Sequence, residues 1–372
     1  MSSVSLSGLR KEWVLGVAFA TTALFLLFGK AWLADLSNPL WFAWMLVWLF
    51  AVIMGSAFAI VHHAESLAVR LGEPLGTLVL TLAVIGIEVM MISAVMLTGE
   101  SKPALARDAM FGVVMIVLNG MIGVSLLLGG LRHREQDYNL RGANSFLSLI
   151  VSLTVLGLVL PNFTEASPGP TLSAFQSVFM VVMSIAVYGV FLVIQNWRHR
   201  DFFVKPAIGE TIAAFESHHG ETYSLGYHAT LLLMYLLPVV VLAEEIAVPI
   251  DHGIEVLHAP AALGGFLVAA LILSPESLSA TRAALANDLQ RSINILLGSV
   301  LASIGLTIPA VLTIGLVTGK TVVLGLDPAN SVLLVLTLAV CGLTFTSNRT
   351  NVLMGAVHLL LFLTYVMLIF EH

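Results

Sequence analysis

Residues 71–97 read LGEPLGTLVLTLAVIGIEVMMISAVML, a run of membrane length with one carboxylate, Glu88, near its middle. A charge at the bilayer centre costs roughly 2.5–3.5 kcal/mol on insertion scales, so an acid placed there marks a functional site unless something else explains it. A second run matches it: residues 263–284 read LGGFLVAALILSPESLSATRAA and carry Glu276. Gly76 precedes Glu88 by the same twelve residues that separate Gly264 from Glu276. Two matched acids in two apolar runs predict one ion site built from both.

Composition sets the surroundings. The chain has 372 residues, of which 58% are hydrophobic and only 10% charged. Its mean hydropathy is +0.99, whereas soluble domains carry about a quarter of charged residues. The sequence therefore belongs to an all-α integral membrane protein. A spanning helix takes about 20 mostly apolar residues. Eleven segments qualify: 14–34, 40–62, 75–98, 109–130, 143–160, 172–195, 227–249, 258–281, 293–317, 331–346 and 352–370. The first follows Arg10 and Lys11 like a signal peptide. Its apolar run exceeds the 7–15 residues of a signal core, so it reads as a retained helix. A net charge of −6 without a basic run speaks against nucleic acid as a partner. The single cysteine, Cys341, lies in an apolar segment and cannot form a disulfide within the chain.

Cytoplasmic loops of membrane proteins collect Lys and Arg. With the N-terminus inside, twelve of the 16 basic residues fall on the cytoplasmic side, and only Lys30, Lys102, Arg107 and Lys320 fall outside. An odd number of helices then puts the C-terminus outside, in a multi-pass chain.

The spacing of the two acids is part of a longer repeat. Gly76 and Glu88 recur at Gly264 and Glu276 with an offset of 188, and Ala143-Asn144-Ser145 recurs at Ala329-Asn330-Ser331 with an offset of 186. The second to sixth helices thus match the seventh to eleventh. The chain divides into an N-terminal tail and extra helix (1–39), a first five-helix repeat (40–195), a linker (196–226) and a second five-helix repeat (227–372). Five is odd, so the two repeats must insert with opposite orientation. Inverted repeats bring equivalent points together near the midplane, where secondary transporters place their substrates.

Helical spacing puts Thr77, Thr81, Val84, Glu88, Met91 and Ile92 on one stripe. Pro275 immediately precedes Glu276, flanked by Ser274 and Ser277. A proline lacks the N–H that would bond the carbonyl four residues back, here that of Leu271. Gly86 either loosens the third helix or serves as an ordinary packing glycine. The following helix of each repeat supplies Asn119 and Ser125, and Ser299, Ser303 and Thr307; the competing reading of these small polar residues is helix–helix contact. Hard cations such as calcium take oxygen ligands, six to eight of them for calcium. Carboxylates, hydroxyls and freed carbonyls are ligands of that kind. Glu88 and Glu276 are accordingly the expected proton, cation and metal ligands, with Thr81, Asn119, Ser274 and Ser303 as second-rank cation ligands. The competing reading of the two acids is a protonated pair that ties helices together.

Other polar residues carry weaker signals. Glu65 and Glu73 precede the third helix, with Glu73-Pro74 as a turn into it, while Glu100 and Asp108 read as solvated. Glu244, Glu245, Asp251 and Glu255 read as an outside turn, a cation-attracting mouth or plain solvation. Glu216, His218, His219 and Glu221 in the linker read as solvated residues, with a regulatory cation site as the alternative.

Three stretches, HAESLAVRLGEPLGTL (63–78), ILSPESLSATRAALANDLQRSINILLGSVLASIGLTIP (272–309) and SNRTNVLMGAVHLLLF (347–362), resemble the cation/calcium exchanger superfamily. They are most similar to its bacterial calcium/proton and sodium-potassium/proton antiporter branch, and the resemblance runs from about residue 40 onward. It implies a ten-helix core of inverted halves, here with one extra helix, alternating access, and key acids at Glu88 and Glu276. Two features depart from it. Calcium exchangers of the superfamily carry Gly-Asn-x-x-Glu at each acid, but the asparagine positions are Ile85 and Leu273 here. The linker also lacks the run of acids of the enteric relatives.

The expected function is secondary antiport of calcium, sodium or potassium against protons, without a cofactor. A cation channel could use the same acids but would need no proton coupling. An intramembrane enzyme would need a nucleophile and base or a metal triad. The histidines His62, His63, His228, His258 and His358 lie near ends of unrelated segments, and no His-Glu-x-x-His pattern occurs.

Overall fold

The structure is a computed structural model that describes residues 12–72, 75–98, 103–204, 223–256, 258–260 and 262–371. Among these residues it contains eleven long helices. They are α1 (Trp13–Leu33), α2 (Pro39–Leu71), α3 (Leu75–Thr98), α4 (Leu105–His133), α5 (Leu140–Leu158) and α6 (Ala174–Val193). After the linker come α7 (Leu225–Val256), α8 (Ala262–Leu285), α9 (Leu289–Thr318), α10 (Pro328–Thr344) and α11 (Val352–Glu371). Nine helices are long and apolar enough to cross a membrane among the described residues.

Local chemistry sets where several of them begin. The Asn38 side chain accepts from the backbone N–H of Leu40 and Trp41, and Pro39 opens α2. Asp327 caps α10 in the same way ahead of Pro328, and Ser173 with Gln176 forms a reciprocal capping box on α6. These side chains satisfy N–H groups that have no partner inside the helix. Gly72 and Gly319, both at positive φ, terminate α2 and α9.

The duplication is visible in helix lengths. The first repeat runs 33, 24, 29 and 19 residues from α2 to α5, and the second runs 32, 24, 30 and 17 from α7 to α10. It is visible again in a shared irregularity. A π-helical turn interrupts α4 at Ile116–Met121 and α9 at Ser303–Thr307. Their starting residues are 187 apart (303 − 116), between the sequence offsets of 186 and 188. Such turns are frequent at functional sites.

Two compact units each draw helices from both repeats. The first comprises residues 1–102 and 225–274, and the second residues 103–224 and 275–372. In the first unit α2 packs along α7, with α3 and α1 against them. Met45, Leu49, Ile53, Ile60, Tyr235 and Val239 form its centre. The extra helix α1 is held by more than apolar contact. Thr21 Oγ1 accepts from Trp48 Nε1 at 3.1 Å, and Glu12 accepts from the hydroxyls of Tyr235 at 2.8 Å and Tyr227 at 3.2 Å.

In the second unit α4 lies against α11, and α9 against α5 and α6. A Cβ added at Gly355 would stand 2.5 Å from the Leu127 nitrogen and 2.8 Å from the Gly123 carbonyl oxygen, so α4 and α11 touch through their backbones. Small residues permit that approach, and in lipid, packing of this kind drives helix association. Two short antiparallel strands, β1 (Gln136–Asp137) after α4 and β2 (Arg349–Thr350) before α11, join the same pair of helices. Arg349 reinforces the joint, with Nε 3.0 Å from Asp137 and NH1 3.1 Å from Glu135.

Candidate ion site

Glu88 lies in the first unit and Glu276 in the second. On α3, Ala83, Ile85, Ile87, Glu88 and Ile92 are buried, whereas Leu82 is 60% exposed, so the acid shares the helix's inward side with apolar residues. Glu88 itself is 2% exposed. Thr81, two turns before it, is half-buried. The side chains of Thr77 and Met91, expected on the same stripe, lie outside the described residues. Gly86 leaves α3 continuous, and a Cβ there would meet only Met90 Cε, at 3.7 Å.

On α8, Glu276 is 7% exposed and follows Pro275 within an unbroken helix. The proline withholds an N–H from the Leu271 carbonyl, as its chemistry requires. One residue earlier Ser274 Oγ donates to the Ala270 carbonyl at 2.7 Å, a bond that occupies its proton and leaves its lone pairs for other partners. Ile85 and Leu273, each three residues before an acid, are both buried and apolar. Neither side chain offers an oxygen, so hydroxyls, backbone carbonyls and the carboxylates are the oxygens these two segments provide.

The π turns carry the other candidates. Asn119 sits in the α4 turn, and Ser303 and Thr307 in the α9 turn, all buried. The second unit brings Asn119 together with two residues the sequence had not joined to it. Its Nδ2 donates to Thr337 Oγ1 of α10 at 2.8 Å, and its Oδ1 lies 3.2 Å from His358 Nδ1 of α11. His358 Nε2 in turn lies 3.0 Å from Thr344 Oγ1. Just after the α4 turn Ser125, and just before the α9 turn Ser299, place buried hydroxyls without a hydrogen-bond partner among the described residues.

The histidines differ from expectation. His63 and His228, on α2 and α7, meet with their Nδ1 atoms 3.0 Å apart because those helices pack lengthwise. His63 Nε2 also lies 3.5 Å from Glu12. Among the described residues no group of three or more His, Cys, Asp or Glu is placed to hold a metal. The acids expected in an outside turn are instead part of α7, which continues to Val256. Asp108, expected in solvent, is half-buried and pairs with Arg107 at 2.8 Å. Glu73, Glu100 and the linker residues Glu216, His218, His219 and Glu221 lie outside the described residues.

The chain as a whole is similar to known proteins. The sequence model described as "Sodium/calcium exchanger protein" matches residues 41–197 and 227–371, leaving out α1 and most of the linker. A putative ionic transporter, y4hA, of Sinorhizobium fredii is 43% identical over 318 residues, 85% of this chain and 86% of that protein. The sodium-potassium/proton antiporter ChaA of Escherichia coli is 42% identical over 320 residues, 86% of each chain. Among solved structures, native YfkE superposes with a TM-score of 0.74 at 17% identity, covering 96% of this chain and all (100%) of the other.

Proposed function

Because the chain belongs to the sodium/calcium exchanger protein family, we propose that it is a secondary antiporter that moves sodium, potassium or calcium out of the cell in exchange for protons. Its identity to an antiporter that exchanges sodium and potassium for protons supports cation/proton exchange. The observation that carries the assignment of residues is the burial of Glu88 and Glu276, to 2% and 7%, at equivalent positions of the two repeats.

Burial disfavours a bare carboxylate, and a bound proton or a bound cation each relieves that cost. A carboxylate holds one of the two well and both poorly. That competition is the coupling: cation release leaves Glu88 and Glu276 to be protonated, and proton release readies them for the next cation. Thr81, Asn119, Ser274 and Ser303 are the second-rank ligands of this reading, each offering a neutral oxygen. The cation is cargo and leaves with each cycle. If net charge moves, the membrane potential contributes about 2.3 kcal/mol per charge per 100 mV.

The distribution of basic residues supports a bacterial inner-membrane orientation with the N-terminus cytoplasmic and the C-terminus periplasmic. The apolar side chains at Ile85 and Leu273 support a site without the two amides of a tight calcium shell, and so one that accepts monovalent ions.

Purified protein in liposomes with an acidic lumen, a trapped pH dye and a clamped potential tests the reading. External sodium, potassium or calcium should alkalinise the lumen. Cation flux without proton movement would instead mean a channel.

A further inference from the structure

Asn119 is one of a run of buried polar groups whose donors and acceptors can be counted. A carboxamide has two N–H donors and two lone pairs on its oxygen. Asn119 Nδ2 faces Thr337 Oγ1 at 2.8 Å and Met115 Sδ at 3.6 Å, and Oδ1 faces His358 Nδ1 at 3.2 Å. Three of the four positions are occupied, all within the second unit. The fourth is a lone pair on Oδ1, the kind of ligand a hard cation takes.

The thioether fixes the polarity of this run. A methionine sulfur only accepts hydrogen bonds, so the end of the carboxamide that faces Met115 is the NH2 group and the end that faces His358 is the oxygen. His358 must then carry its hydrogen on Nδ1 to donate to that oxygen. The neutral imidazole consequently accepts at Nε2, where the Thr344 hydroxyl stands 3.0 Å away. At the far end Thr337 Oγ1 lies 3.6 Å from the same Met115 sulfur and can donate to it. The protons of this run point from Thr344 to His358, to Asn119, to Thr337, to Met115, with the Leu118 carbonyl as a second acceptor beside the His358 ring.

This run crosses three helices, α4, α10 and α11, and Asn119, Thr337, Thr344 and His358 are all buried. Asn119 stands on a π turn, where the regular helix ladder gives way. A side chain there depends on its neighbours to hold one rotamer. His358 reaches it because Gly123 and Gly355 let the backbones of α4 and α11 touch.

We propose that His358 is a positioning residue for the transported cation, holding the Asn119 carboxamide so that its oxygen, rather than its NH2 group, is presented as a ligand. The proposal rests on the reading of Asn119 as a cation ligand. A carboxamide free to turn over would present a donor to the cation half the time or settle with its oxygen elsewhere, so His358 acts on affinity more than on turnover.

The test is antiport in proteoliposomes with sodium as the varied cation, comparing wild type with H358L, H358Q, M115L, N119A and H358L/N119A. H358L should raise the half-saturating sodium concentration about tenfold, equivalent to about 1.4 kcal/mol, and leave the maximal rate within about twofold. H358Q, which retains an N–H donor, should recover part of the loss. N119A should raise the same concentration, and adding H358L to it should do nothing more. A reduced maximal rate with unchanged half-saturation in H358L would overturn the proposal in favour of a purely structural tie. Additive effects in the double variant would also overturn it. If N119A raised half-saturation and H358L did not, the positioning role alone would fail; if N119A left it unchanged, the ligand reading would fail with it. M115L keeps the volume and removes the acceptor, so it serves if H358L does not insert: half-saturation should rise about two- to threefold, and no rise would contradict the polarity assigned to the run.

Discussion

The Nδ1 atoms of His63 and His228 lie 3.0 Å apart on two helices that start 186 residues apart in the chain (225 − 39). Only one of the two can carry hydrogen on that atom, since two N–H groups would face each other. Both rings are buried, and Glu12 approaches the other edge of His63. Removing one ring leaves the other's nitrogen buried without this partner, at a cost of about 1–3 kcal/mol. Each of H63L and H228L should therefore lower the unfolding temperature in detergent, and the double variant should lose less than the sum. Fully additive losses would show that the contact contributes nothing.

Backbone contact between α4 and α11 makes Gly355 intolerant of any side chain. G355A should destabilise the protein by roughly 1–3 kcal/mol, the usual range for overpacking. G86A is the contrast, since its Cβ meets nothing nearer than 3.7 Å. Thermal unfolding of the two variants in the same detergent checks this. Equal effects would contradict the close approach.

Ile85 and Leu273 are buried apolar side chains three residues before the two acids. In the double variant I85N/L273N two carboxamide oxygens would be added to the neighbourhood of Glu88 and Glu276. Calcium prefers a larger oxygen shell than sodium requires, so the calcium-to-sodium preference in antiport should rise, by roughly tenfold if both oxygens bind, the tighter binding amounting to about 1.4 kcal/mol. An unchanged ratio would remove these positions from ion selection.

Much of the architecture was legible in the sequence because a bilayer imposes length and hydropathy on each helix. All eleven segments recur as helices, and most boundaries move by only a few residues. The larger shifts have physical reasons. Helix α2 continues to Leu71, past His62, His63, Glu65 and Ser66, because Ile60, His63, Ala64 and Leu67 keep one buried stripe through the polar stretch. Helix α7 runs through Pro238 and Pro249 to Val256, where four acids suggested a turn.

The finer features of the site were not legible, since they depend on distant partners. Residues 116–121, IVLNGM, carry no local mark of a π turn; the sign is its recurrence 187 residues later in α9. His358 reads as an isolated histidine because its partner Asn119 is 239 residues away. Its role comes from the glycine contact that brings α11 onto α4, and no periodicity in either helix encodes that pairing.

The most direct test of the central claim is cation-driven proton movement in liposomes for E88Q and E276Q, each alone, with insertion checked by protease accessibility. Gln keeps the shape of Glu but neither takes up a proton nor carries the negative charge. Each substitution should abolish sodium-, potassium- and calcium-triggered alkalinisation of the lumen while leaving insertion unchanged. Wild-type exchange rates in both variants would contradict the assignment of Glu88 and Glu276 as the shared proton and cation ligands.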